Sequence, residues 1–145
     1  MHTGLSCCFD EDVPRQLVAS AMVFATVALG WTGCSRQDER LQQHHENIES
    51  LASSVRTIGN AWLTGSTSAT YTMTALEQTY LLLEQERSAL ASTPDALADP
   101  RGARLSQIAE HLSRLIAAMQ HDVRGANAPS VRQHLTDISA LEVRR

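Results

Sequence analysis

Residues 99–129 read DPRGARLSQIAEHLSRLIAAMQHDVRGANAP. The apolar positions Leu105, Ile108, Ala109, Leu112, Leu115, Ile116, Met119 and Val123 recur every three or four residues, the period of one face of an α-helix. Asp99-Pro100 is an opening signal. The aspartate can accept from the free N–H groups of a first turn, and a proline at the first helical position gives up no bond. Gly125 is a stop signal, and Asn127-Ala128-Pro129 opens a further helix at once. A long helix over about 100–124 and an antiparallel successor follow from this stretch.

The same logic extends in both directions. Downstream, Val131, Leu135, Ile138 and Leu141 share one face of a short helix to about 141. Upstream, Ala69, Met73, Leu76, Tyr80, Leu83, Arg87 and Leu90 give a stripe over about 67–92, which Leu81 and Leu82 are expected to widen. Ser66 is the expected N-cap of that helix, and Thr93-Pro94-Asp95 is read as the start of a short turn over 95–98. Farther upstream, Leu41, His44, Ile48, Leu51, Val55, Ile58 and Trp62 alternate spacings of three and four, a heptad seam over about 38–63. Asp38 and Glu39 are expected in its first turn and Gly65 at its end in the left-handed conformation. Short connections make successive helices antiparallel. The expected fold is all-α: an up-down helical bundle of three long helices and a shorter fourth, preceded by a signal segment.

Composition agrees. The chain has 145 residues, a formal net charge of -4 and only 4% aromatic residues. There is no lysine, and the arginines are interleaved with acids and form no basic run, so no nucleic-acid partner is expected. The three cysteines, Cys7, Cys8 and Cys34, have neither the spacing of a metal knuckle nor that of a redox pair.

Residues 17–29 are an uninterrupted uncharged run, LVASAMVFATVAL. It is shorter than the roughly 20 residues that cross a hydrocarbon core and fits the apolar region of a signal peptide; a buried core helix or an uncleaved anchor over 17–31 is the alternative. Gly30-Trp31-Thr32-Gly33-Cys34-Ser35 then resembles the bacterial lipobox, in which small residues precede a cysteine that becomes lipidated. Thr32, Gly33 and Cys34 match it, and Trp31 stands at the position that prefers an aliphatic residue. The resemblance implies a lipid anchor on Cys34. With Ser35 after it, it further implies the bacterial cell envelope, at the periplasmic face of the outer membrane. The expected organisation is a signal peptide over 1–33, Cys34 and a short tether over 34–37, and the bundle over 38–145. Asp10, Glu11 and Asp12 do not suit a signal leader, so translation is expected to begin near Val13.

Antiparallel stacking gathers His44, His45, Glu84, Arg87 and His111 toward one end of the bundle. Histidines and carboxylates bind metal ions, which makes His44, His45 and His111 the candidate metal ligands. Two observations oppose them. No HExxH, paired ExxH or CxxCH motif occurs, and adjacent histidines on a helix point about 100° apart. Arg87 is expected to pair with Glu46 or Glu49, and His121 and His134 to be solvated. Met73, Met119 and Trp62 fall toward the other end and are read as core residues. No nucleophile elbow or phosphate loop occurs, and no cofactor is expected. The expected function is therefore a non-catalytic envelope lipoprotein whose bundle binds a protein or peptide partner or self-associates through its helices. A metal-binding or sensor bundle using the histidine-bearing end is the alternative.

Overall fold

The computed structural model describes the backbone of residues 15–93 and 96–143 and the side chains of 36–93 and 96–141. Four helices follow one another, α1 (Arg15–Leu63), α2 (Ala69–Ser92), α3 (Pro100–Arg124) and α4 (Ala128–Val143). Among the described residues there is no strand. The protein is an all-α helical bundle, as its apolar periodicity predicts. The chain divides into two compact units, Met1–Arg36 and Gln37–Arg145. Residues 1–14, the start of the expected signal segment, and the side chain of Cys34 lie outside the described residues. Among the described residues no helix is long and apolar enough to cross a membrane.

The helix expected to begin near 38 begins at Arg15. The segment upstream is rich in alanine, leucine, valine and methionine, and Gly30 and Gly33 each cost a helix only about 1 kcal/mol relative to alanine. Asp38 and Glu39 are therefore not in a first turn. The Asp38 carboxylate instead meets Arg101 at the start of α3.

The end of α1 follows the expected chemistry. Gly65 takes φ +73, Gly65 N–H donates to Trp62 C=O at 3.0 Å, and Ser66 N–H donates to Ala61 C=O at 2.8 Å. This pair of bonds is a Schellman closure. The N-cap of α2 is Ser68, two residues later than expected; its hydroxyl accepts from Tyr71 N–H. Pro94 and Asp95 of the expected short turn lie outside the described residues. Asp99 caps α3 and Pro100 opens it, as predicted. The helix ends at Arg124, but Gly125 has φ -82 and the left-handed residue is Ala126, with φ 53.

Leu76, Leu83 and Leu90 of α2, Leu112, Ile116 and Met119 of α3, Ile48 and Val55 of α1, and Val131 and Ile138 of α4 form one buried core. Fully burying a side chain of this kind contributes about 1.5–3 kcal/mol. The stripes of α1, α3 and α4 face that core as expected. The stripe of α2 is narrower: Thr72 and Thr79 are buried in it, while Leu81 and Leu82 are each 54% exposed. The expectation that these two leucines widen the stripe is corrected by their angular position. Leu81 and Leu82 sit about 160° and 100° from the buried Leu83 on the helical wheel and so leave the core face. Thr79 satisfies its hydroxyl on the Ala75 carbonyl at 2.8 Å, and Thr72 shares a hydrogen bond with Thr67 at 2.9 Å.

Two glycines mark close approaches. A Cβ on Gly59 would lie 2.8 Å from the Met119 methyl and 2.9 Å from Leu135 Cδ2, so α1, α3 and α4 converge there. A Cβ on Gly102 would run into the backbone of Ala96, whose carbonyl carbon would be 2.7 Å away.

Candidate functional site

The end of the bundle expected to hold the histidines is built from the 38–52 part of α1, the last turns of α2 and the first turns of α3. There the structure separates the candidates. His44 occupies an apolar-stripe position and is half-buried, and its Nδ1 hydrogen-bonds the Glu86 carboxylate of α2. Asn47 Nδ2 donates to both oxygens of the same carboxylate at 3.3 Å. His45, one residue on, turns to a different side and approaches Glu49 at 3.8 Å. His111 is exposed on α3. Among the described residues no group of three or more His, Cys, Asp or Glu is placed to hold a metal ion. The structure does not bring His44, His45 and His111 together. The 100° step between adjacent helical residues sends His44 and His45 apart, and His44 is taken up by Glu86.

Arg87 also departs from expectation. It does not reach Glu46 or Glu49 on α1; its Nη1 donates to both oxygens of Glu84, at 2.8 and 2.9 Å, one turn back on its own helix. Residues three apart on a helix are neighbours, so this partner requires no reach across the bundle. Ser113 of α3 donates to the same carboxylate at 2.7 Å. That bond, with Arg87 behind it, holds the Glu84 carboxyl below its usual range against the opposing effect of burial.

A groove between α1 and α3 opens on a different side of this end. Its volume is about 300 Å³. Leu41 and Ile48 of α1, Leu105 and Ile108 of α3, and Leu141 near the end of α4 supply its apolar lining. Arg101 and Arg104 stand on the α3 side of the rim, and Asp38, His45 and Glu49 on the α1 side. Arg101 is clamped: Asp99 Oδ2 accepts from its Nη2 at 2.9 Å and Asp38 accepts from the same nitrogen. These two carboxylates raise the guanidinium above its usual range, and Arg101 in turn lowers the Asp99 carboxyl. Arg104 is exposed on the same rim.

At the far end of the bundle sits a pair that reading the sequence missed. His134 Nε2 lies 2.8 Å from Asp122 Oδ2, and both side chains are mostly buried. His134 was expected to be solvated. The signal was available in the short α3–α4 connection, which brings a residue in the last turn of α3 beside one about two turns into α4. His134 Nδ1 is buried with no hydrogen-bond partner.

Comparison with protein-family models, curated proteins and solved structures finds no match to this chain.

Proposed function

We propose that this chain is a non-catalytic interaction module of the bacterial cell envelope, anchored by lipid on Cys34, whose working surface is the groove between α1 and α3. The observation that supports the reading is the open groove between α1 and α3, about 300 Å³, lined by Leu41, Ile48, Leu105, Ile108 and Leu141. Recognition of an amphipathic helix by an apolar groove uses anchors spaced three and four residues apart. The occupant that fits is a partner's helix lying in this groove. Its apolar stripe would cover Leu41, Leu105 and Ile108, and an acidic residue on it would meet Arg104. The envelope address rests on the apolar run over 17–29 and on Thr32-Gly33-Cys34-Ser35.

Two measurements test this reading. Mass spectrometry of the mature N-terminus is expected to find an acylated Cys34; an unprocessed chain would remove the anchor and the compartment. A photo-crosslinking residue at Ile108, in the full chain in cells, is expected to capture a peptide with an apolar helical stripe and an acidic flank, and one at the outward-facing Gln107 is not. Equal capture from both positions, or none from Ile108, would reject the groove. Capture of a lipid or another small apolar molecule would also reject the helical partner. It would assign the groove to a small ligand, for which about 300 Å³ is at the low end of the usual range.

A further inference from the structure

Two helices that run the same way face each other across the α1–α3 groove. Residue numbers rise together along its walls. Asp38 meets Arg101 at one level, and a Cβ on Gly59 would lie 2.8 Å from the Met119 methyl at a later one. The helix α4 runs the other way: His134 lies against Asp122 at the end of α3, and Leu141 comes back to line the groove with Leu105 and Ile108. Parallel helix dipoles side by side oppose each other, and a helix laid over both in the opposite sense offsets them.

The groove is also electrically unequal along its length. On α1 it runs from Asp38 to Ala52, about 21 Å at 1.5 Å per residue, or nearly four helical turns. Arg101 and Arg104 stand at the Asp38 end, where α3 begins and its dipole is positive. Asp38 and Asp99 take up Arg101, while Arg104, one turn farther on, is exposed on the rim. Glu49 comes eleven residues after Asp38, and Leu112 eleven after Arg101, so the far end carries an acid among apolar residues. His45 lies between the two ends and approaches Glu49 at 3.8 Å.

We propose that the groove accepts its helix in one direction. The occupant lies antiparallel to α1 and α3, with its C-terminal end beside Arg104 and its N-terminal end beside Glu49. This polarity rests on the groove's being a helix site, as proposed above. In this direction the negative end of the occupant's dipole, and any acidic residue of its last turn, meets Arg104, and the positive end meets Glu49. In the reverse direction both ends meet like charge and three dipoles run in parallel. The partner is therefore a helix of about four turns with its apolar stripe toward Leu41, Leu105 and Ile108 and its acids in the last turn.

The test places a photo-crosslinking residue at Gln42 or at Glu49 of the full chain in cells, and reads the joined partner residue by mass spectrometry. The two positions lie on one face of α1, about 10 Å apart along the groove. Arg104 and the dipoles of both walls remain in each variant. Both positions are expected to capture the same helical segment, with the residue joined to Glu49 about two turns earlier in the partner's sequence than the one joined to Gln42. The opposite order would overturn the proposal and leave the groove a helix site. Capture from one position alone would overturn it as well, because a helix lying along the groove passes both. Loss of capture from Gln42, Glu49 and Ile108 together would reject the groove itself, and the direction with it. Arg104→Glu is expected to lower capture from Gln42 roughly two- to fivefold. Arg114→Glu, exposed on α3 outside the groove, is expected to leave it unchanged. Equal effects of the two substitutions would overturn the proposal too.

Discussion

Ser113 of α3 donates its hydroxyl hydrogen to the Glu84 carboxylate of α2 at 2.7 Å, and this one bond does most to set the acidity of that carboxyl. It ties together two helices that otherwise meet through apolar side chains. Ser113→Ala is expected to destabilise the bundle by about 1 kcal/mol, at the low end for a bond to a charged group because Glu84 is partly exposed. The measurement is urea denaturation at neutral pH.

The pH dependence follows from the same pair. Glu84 titrates below its ordinary value of 4.5 in the folded chain. Its stabilising effect is therefore fully present above that value and is lost as the pH falls through the lower, folded-state one. Parent and Ser113→Ala are expected to differ at pH 7 and to converge in acid. Asp99 titrates below its ordinary 3.8 and adds a loss of the same sign in the same direction. Denaturation curves taken from pH 7 to pH 3 check both, and a gap between parent and variant that widened in acid would contradict the assignment.

Gly102→Ala is expected to be harmful and Gly59→Ala mild, although both replace a helical glycine. The Cβ at 102 would meet the backbone of Ala96, which cannot move without displacing the α2–α3 connection. Overpacking of this kind typically costs about 1–3 kcal/mol. At 59 the obstacles are the ends of Met119 and Leu135, which can shift, and alanine recovers helix propensity of about 1 kcal/mol. Thermal melts of the two variants should separate by several degrees.

Ala126→Gly is expected to stabilise. Ala126 holds a positive φ at the α3–α4 turn, where a Cβ costs an l-residue about 1–2 kcal/mol. Part of that gain is offset by the greater freedom of glycine in the unfolded chain. A net rise of about 0.5–1 kcal/mol in urea denaturation is the expected result.

The His134–Asp122 pair joins α3 to α4, and a double-mutant cycle measures it. His134→Leu and Asp122→Ala should each destabilise, with a coupling of about 1 kcal/mol between them. Additive effects would mean that the 2.8 Å contact contributes nothing to folding.

The features that were legible in the sequence are those set by local chemistry. Asp99-Pro100 opens α3 because capping and a fixed φ act within one turn, and Gly65 closes α1 because the left-handed position favours glycine. Gly125 was the right signal one residue out of register, since Ala126 takes the strained position. What was not legible depends on which face a helix turns to its neighbours. Leu81 and Leu82 have core-type side chains on a solvent face, and Thr72 and Thr79 have polar ones in the core with their hydroxyls satisfied nearby. For His44, Glu84 and Arg87 of the expected end layer, the partners are ones that periodicity does not indicate. Glu86 takes His44 and Ser113 takes Glu84, and pairing at that resolution depends on rotations of a few tens of degrees that apolar periodicity does not fix.

The open groove beside one half of α3 gives a single helix two regimes of motion. Around Gly59, Met119 and Leu135, α1, α3 and α4 close on one another, and backbone amides there are expected to exchange with solvent only when the whole body opens. Leu105 and Ile108 line the groove instead, so α3 can breathe at that end while its far half stays shut. Anything seated over residues 101–108 would quiet that motion first. Hydrogen exchange would then register its arrival at the start of α3 before it altered the melting temperature.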